Sequence, residues 1–134
     1  MHKPSILVVE DQIIEQKLLS LLAQKYGYDV QIVSSSEEAL NEIETGKLFS
    51  IILMDWKLPG IDGLDCTKRI RELERNRGYH TPIVAITGRA MDGDKTKCLG
   101  AGMDDYMSKP FSAEEFRQML NRWIPDSNSE ILFH

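Results

Sequence analysis

Five short apolar runs, separated by segments of helical periodicity, constrain the fold of this chain most strongly. The runs are Ser5 to Glu10, Tyr28 to Val33, Phe49 to Met54, Pro82 to Thr87 and the shorter Asp105 to Ser108. Strands that alternate with helices form a mostly parallel sheet with helices on both faces, and right-handed crossovers leave few topologies. The sequence therefore predicts an α/β fold.

Two runs indicate the order of the strands. The second run alternates apolar and polar residues, which predicts a half-exposed edge strand, whereas the third run is apolar throughout, which predicts a central strand. We therefore predict a flavodoxin-like (βα)5 three-layer sandwich, with a parallel five-stranded sheet of order 2-1-3-4-5.

The segments between the runs carry helix signals. Ser35 or Ser36 caps the second helix, and Ser112 with Glu115 forms a capping box before the last one. Apolar residues occur at helical spacing in each segment. In the first helix they form one stripe: Ile14, Leu18, Leu21 and Leu22.

Length and composition limit the class of protein. A chain of 134 residues fits one domain, which we place at residues 1–125 with a C-terminal tail at 126–134. The formal charge of -5 argues against direct binding to nucleic acid, and no apolar segment is long enough to insert in a membrane. Cys66 and Cys98 match no metal or redox motif, so we expect two reduced, packed thiols in a cytoplasmic protein.

Polar residues end four of the runs. Asp55 follows the third run, Glu10 and Asp11 close the first, Thr87 ends the fourth and Lys109 follows the fifth. Parallel strands bring their carboxyl ends to one edge, where ligands bind at the switch point between strands one and three. We expect these five side chains to converge there.

Three close carboxylates repel one another, and a divalent cation removes that cost. Mg²⁺, or Mn²⁺, prefers such oxygen ligands. We predict that Asp11 and Asp55 ligate it directly, that Glu10 acts through water, and that the backbone carbonyl of Lys57 fills another position. Asp55 can then attack a phosphoryl group whose oxygens are bound by the ion, Lys109 and Thr87. A cis bond is expected between Lys109 and Pro110.

The motifs of this chain resemble the receiver domain of two-component response regulators over about residues 5–124. The stretch before Lys109 is most similar to receivers of hybrid sensor histidine kinases. The matching residues are Val9-Glu10-Asp11, Met54-Asp55, Leu58-Pro59-Gly60-Ile61-Asp62-Gly63, Ile86-Thr87 and Ser108-Lys109-Pro110-Phe111.

The resemblance implies that Asp55 accepts phosphate from a histidine of a kinase or a histidine phosphotransfer domain. By the same resemblance, phosphorylation and dephosphorylation of Asp55 are self-catalysed, and Tyr106 turns inward when Thr87 moves toward the phosphate. The surface of the fourth helix, fifth strand and fifth helix would be the output face and a site for homodimerisation. Lys57 and Arg89 occupy positions that tune loss of the phosphate.

Other readings stay open at this point. Tyr106 is as compatible with a packed core residue as with a switch. An interaction-only pseudo-receiver, a phosphatase with an aspartyl intermediate and a flavin carrier are competing functions. The intact acceptor, metal acids, hydroxyl and lysine argue against a pseudo-receiver. Such a phosphatase usually has a second Asp two residues after the nucleophile, where this chain has Lys57. A flavin carrier needs a phosphate-binding loop after the first strand, where Glu10-Asp11 would repel a phosphate. The sequence leaves open whether the domain is free-standing or part of a hybrid kinase.

Overall fold

The computed structural model of the protein describes residues 3–88 and 93–124. Strands and helices alternate along these residues, as the apolar runs predict. The elements are β1 (Ser5–Val9), α1 (Ile13–Lys25), β2 (Asp29–Val33), α2 (Ser36–Glu44), β3 (Ile51–Met54), α3 (Gly63–Arg75), β4 (Ile83–Thr87), α4 (Asp94–Gly100), β5 (Asp105–Ser108) and α5 (Ala113–Trp123).

The five strands form one parallel sheet in the order β2-β1-β3-β4-β5. This confirms the predicted flavodoxin-like topology. β2 lies at an edge, as its alternating pattern indicates, and β3 is buried along its whole length in the middle of the sheet. In the register, Val9 lies beside Met54, and Thr87 lies beside Ser108. The ends of β1 and β3, and those of β4 and β5, are therefore level with each other.

Helices cover both faces of the sheet. α1 and α5 pack on one face through a core that includes Leu19, Phe116 and Leu120. α2, α3 and α4 pack on the other face through a second core, which includes Cys66 and Cys98. Both thiols are free and buried, as predicted.

The helix ends follow the predicted signals closely. The Ser35 hydroxyl accepts a hydrogen bond from the Glu38 backbone N–H, so Ser35 caps α2. Ser112 and Glu115 form the expected capping box at α5. The Lys109–Pro110 bond is cis. The start predicted for the fourth helix, at residue 92, lies outside the described residues.

Only part of the apolar stripe of α1 faces the core: Leu22 packs against it, whereas the other members of the stripe are exposed. Leu19 and Ala23 are buried, whereas Ile14 is 81% exposed and Leu21 is 67% exposed. Apolar residues occur on most sides of this helix, so their spacing did not indicate which side meets the sheet. α1 therefore presents an apolar surface to solvent.

A partly buried ionic cluster, which no local sequence pattern indicates, joins α3 to the segments that flank β4. The Arg71 guanidinium donates to Glu74 at 2.6 Å, to Asp104 at 2.7 Å and to the Thr81 carbonyl at 2.7 Å. Asp104 also accepts the Ile83 backbone N–H at 2.9 Å. Buried charges need such partners, so this cluster fixes α3 against β4 and the loop before β5.

Candidate functional site

The carboxyl ends of β1 and β3 bring three acidic side chains together. The Asp55 backbone N–H donates to the Val9 carbonyl at 3.0 Å, which aligns the two strand ends. Carboxylate oxygens of Glu10, Asp11 and Asp55 all lie within 4.8 Å of one another. The predicted convergence of these three residues is therefore present in the fold.

Glu10 is the most enclosed of the three acids, with only 1% of the residue exposed. One carboxylate oxygen accepts the Gln12 backbone N–H at 3.0 Å, and the other accepts from Lys109 Nζ at 3.2 Å. The Gln16 side-chain amide donates to the Glu10 carbonyl at 2.6 Å. A buried charge is tolerated where it is bonded in this way, so Glu10 is held in one orientation.

The environment of Asp55 disfavours its negative charge. Burial, and after it the nearby Glu10 carboxylate, raise the pKa of Asp55 from 3.8 to about 7. The Lys109 ammonium and the Lys57 backbone N–H act in the opposite direction, but they do not cancel the rise in this pKa. The single Lys109 ammonium therefore does not neutralise both the Glu10 and the Asp55 carboxylates, and a bound cation would stabilise their ionised forms.

Lys109 lies between acids from two elements. Its ammonium is 3.2 Å from a Glu10 oxygen and 3.7 Å from a Glu15 oxygen on α1. Burial alone would lower the pKa of Lys109, but the Glu10, Asp55 and Glu15 carboxylates raise it above its ordinary value. The ammonium therefore stays charged and faces the acidic cluster.

Sequence reasoning missed Glu15. The only signal was an acid in the first turn of a helix, which ordinarily reflects the helix dipole. Its closeness to Lys109, distant in sequence, depends on how α1 packs beside the loop after β5, and no local pattern contains that information.

The remaining predicted residues flank the cluster. Thr87 ends β4 and is 2% exposed, and its carbonyl accepts the Lys109 backbone N–H at 2.8 Å. Tyr106 is partly buried against the core beneath α2, α3 and α4. Lys57 is exposed and its backbone borders Asp55, whereas Arg89 lies outside the described residues. The functional roles of these four residues stay predictions.

The turn between β3 and α3 closes tightly behind Asp55. The Gly63 N–H donates to the Trp56 carbonyl at 2.8 Å. A Cβ atom at Gly63 would clash with the Asp55 carbonyl oxygen and approach the Trp56 Cα to 3.0 Å. Only glycine permits this approach, so the first turn of α3 sets the position of the Asp55 backbone.

Comparisons with known proteins identify the family. The model of the response regulator receiver domain matches residues 6–121. The chain belongs to the response regulator receiver family. Phosphorylation of an aspartate with Mg²⁺ is a general property of that family, and its members act in two-component phosphorelays.

Similar sequences include the hybrid signal transduction histidine kinase I of Dictyostelium discoideum, 41% identical over 123 residues. The sensor histidine kinase GacS of Pseudomonas protegens is 38% identical over 121 residues. The matches cover 89% and 90% of this receiver but only 7% and 13% of those kinases. The chain thus spans a small part of the curated relatives it matches.

Similar solved structures include the receiver domain of the sensor histidine kinase PA1611 from Pseudomonas aeruginosa, which has a magnesium ion in its active site cleft. It is 38% identical with a TM-score of 0.83, and the match covers 93% of this chain and 100% of that one. The receiver domain of Saccharomyces cerevisiae Ssk1, solved with the phosphotransfer protein Ypd1, is 29% identical with a TM-score of 0.82. That match covers 91% of this chain and 89% of that one.

Within the described residues, no helix is both long and apolar enough to cross a membrane.

Proposed function

We propose that this receiver accepts a phosphoryl group on Asp55 from a phosphohistidine, with a divalent cation bound by the acidic cluster. One observation carries this proposal: Glu10, Asp11 and Asp55 present oxygens within 4.8 Å of one another, and the Lys109 ammonium contacts the same cluster. The arrangement supplies an acceptor, a metal-binding set and a fixed cation at one sheet edge.

The residues present fit Mg²⁺. They offer hard oxygen donors, and burial together with the Glu10 carboxylate raises the pKa of Asp55, an effect that a bound cation would oppose. We assign direct binding to Asp11, Asp55 and the Lys57 carbonyl, and an outer role to Glu10; Mn²⁺ would be accepted by the same donors. When bound, the ion keeps Asp55 ionised and neutralises charge on a phosphoryl oxygen.

The transfer is a displacement at phosphorus. An Asp55 carboxylate oxygen forms the new P–O bond while the P–N bond to the donor imidazole breaks, and the imidazole nitrogen keeps the electron pair. Lys109 binds one phosphoryl oxygen with its ammonium, and Thr87 donates its hydroxyl to another. The buried Glu10 carboxylate holds Lys109 close to the acceptor before the phosphoryl group arrives.

Incubation with acetyl phosphate and Mg²⁺, followed by intact mass measurement, tests this function. We expect one added phosphoryl group, which EDTA prevents and which Asp55→Asn abolishes. The matched control Asp29→Asn removes an exposed aspartate on β2 and should be labelled like the wild type. Labelling of Asp55→Asn, or labelling in EDTA, would contradict the assignment.

We further propose that the phosphohistidine donor, a histidine kinase or phosphotransfer domain, docks on the exposed face of α1. Ile13 is 65% exposed, Ile14 81%, Leu18 44% and Leu21 67%. α1 begins two residues after Asp11, so a partner on this face lies next to the pocket. Exposed apolar patches beside a reactive group are typical of protein interfaces.

Transfer from a phosphorylated histidine phosphotransfer protein such as yeast Ypd1 tests the docking face. We expect Ile14→Ser with Leu18→Ser to slow this transfer at least about tenfold more than labelling by acetyl phosphate. Leu48→Ser is the matched control, because Leu48 is 64% exposed but lies just before the amino end of β3, whereas Asp55 follows its carboxyl end. Equal loss with both phosphate donors would contradict docking on α1.

The proposed phosphorylation of Asp55 also implies a conformational switch and an output face. Thr87 and Tyr106 would move together after phosphorylation, and α4, β5 and α5 would form the output and homodimer face. A groove of about 270 Å³ runs along β5 and α5 and includes Tyr106, Ser108 and Gln118. Light scattering with and without BeF₃⁻ tests dimerisation, and a mass that stays monomeric would contradict it.

We infer that Lys57 and Arg89 slow loss of the phosphate by screening it from water. In the double variant Lys57→Ala with Arg89→Ala, the aspartyl phosphate should be hydrolysed faster than in the wild type, and an unchanged rate would contradict the idea.

Four other points remain predictions: the limits of the receiver at 1–125, the tail at 126–134, the cytoplasmic location and the lack of direct nucleic-acid binding.

A further inference from the structure

Glu15 is a second anionic partner of Lys109 and comes from outside the acidic cluster. Its oxygen lies 3.7 Å from Lys109 Nζ, against 3.2 Å for the Glu10 oxygen. The Glu15 side chain is 31% exposed and that of Lys109 is 20% exposed, so solvent screens this pair only in part. Lys109 is therefore already engaged by two carboxylates before any phosphoryl group enters.

This arrangement acts against phosphoryl binding in two ways. First, the Lys109 ammonium has three donors, and each contact with a carboxylate competes with a contact to a phosphoryl oxygen. Second, Glu15 itself repels the phosphoryl group, whose oxygens must come close to the same ammonium. Both effects have the same sign, because each lowers the affinity of the pocket for an anion.

Glu15 has the opposite effect on a cation. The Glu15 and Glu10 oxygens lie within 3.7 Å of one ammonium nitrogen, so they are at most about 7 Å apart. A negative charge at that distance attracts a divalent cation without ligating it. Glu15 should therefore favour Mg²⁺ and disfavour the phosphoryl group.

We propose that Glu15 is a positioning residue that draws the Lys109 ammonium toward α1 and so limits how tightly Asp55 holds a phosphoryl group. The proposal rests on the function assigned to Asp55 above. Glu15 precedes the exposed Leu18 by three residues and so shares a side of α1 with it, and a partner docked there would contact the residue that restrains Lys109. Binding of the donor and release of Lys109 to the phosphoryl group would then be linked.

Titration with Mg²⁺, and then with BeF₃⁻ in saturating Mg²⁺, tests the role of Glu15. BeF₃⁻ activates a similar receiver domain, DrrB, which is 26% identical. Tryptophan fluorescence reports both events, because Trp56 follows Asp55 and is 6% exposed. We expect Glu15→Gln to weaken Mg²⁺ binding by about two- to fivefold and to tighten BeF₃⁻ binding by about three- to tenfold.

Two controls separate this role from a structural one. Glu72→Gln removes an exposed carboxylate on α3 and should leave both affinities as in the wild type. In a Lys109→Ala background, Glu15→Gln should change the BeF₃⁻ affinity by no more than about twofold, since only direct repulsion remains. A full-sized effect without Lys109 would overturn the proposal.

The outcomes also separate this proposal from the assignment of Asp55. A Glu15→Gln protein that binds BeF₃⁻ as the wild type does, or more weakly, overturns the role of Glu15 alone. Weaker binding of both Mg²⁺ and BeF₃⁻ would show a structural effect and would overturn it too. A wild-type protein that binds neither probe would instead overturn the function proposed for the acidic cluster.

Discussion

We expect Asp55 to make the metal-free protein less stable as the pH rises, and Asp55→Asn to remove this effect. The pKa of Asp55 is raised from 3.8 to about 7 in the folded protein by burial and by Glu10. Between these values the unfolded chain releases the proton while the folded protein keeps it. The unfolded state is then favoured, so stability is lost between about pH 4 and pH 7 and stays low above that range.

The size of this effect on the free energy of unfolding follows from the rise in the pKa of Asp55. A rise from 3.8 to about 7 corresponds to a full effect on the order of 4 kcal/mol. Asp55 is only partly buried, and screening by solvent reduces this to about 1–2 kcal/mol. At pH 8 in EDTA, we expect Asp55→Asn to unfold about 4–8 °C higher than the wild type.

Thermal unfolding by circular dichroism under three conditions tests the reasoning. The gain in Tm should appear at pH 8 in EDTA and largely vanish at pH 5, where the wild-type Asp55 is mostly protonated. It should also vanish in Mg²⁺, because the variant lacks a ligand and the ion removes the repulsion in the wild type. Asp29→Asn, at an exposed position, should show no such pattern. A gain equal at pH 5 and pH 8 would refute the electrostatic origin.

Three further predictions concern packing, and thermal unfolding measures each of them. Gly63→Ala should destabilise the protein by at least about 1–3 kcal/mol, because the added Cβ clashes with the Asp55 carbonyl oxygen; equal stability would contradict this close approach. Gly100→Ala in α4 should stabilise by about 0.5–1 kcal/mol, since nothing lies within 4 Å of the added Cβ and alanine favours helix. Arg71→Ala should cost about 3–5 kcal/mol by leaving the buried Glu74 carboxylate without its cation, whereas the exposed Arg75→Ala should change little; similar losses would contradict the Arg71 cluster.

Most of the fold could be predicted from the sequence, because the patterns of the individual strands and helices all indicated the same α/β topology. The alternation in β2 and the uniform apolarity of β3 indicated an edge strand and a central strand, and the sheet order confirms both. Once the strands are parallel, their polar ends must meet at one edge. The meeting of Asp11 and Asp55 was therefore a consequence of topology and did not depend on side-chain detail.

What the sequence did not contain depends on packing between distant segments. The position of Glu15 beside Lys109 is set by the tilt of α1 against the loop after β5, and neither segment encodes that tilt alone. The Arg71 cluster is similar, since Arg71 and Asp104 are 33 positions apart and their pairing requires α3 and β4 to be docked. A single charged residue in the sequence does not indicate which distant charged residue it will pair with in the folded chain.

The exposed apolar side of α1 is informative about function. Leu19 and Ala23 are buried against the sheet and Leu22 packs partly beside them, whereas Ile14 and Leu21 face solvent. The pattern that indicates burial against the protein's own sheet is the same pattern that indicates burial against a partner, because both remove apolar surface from water. A helix with apolar residues on both sides, beginning two residues after Asp11, is therefore better explained by two burial events than by one: folding against the sheet, and the docking proposed for the phosphohistidine donor.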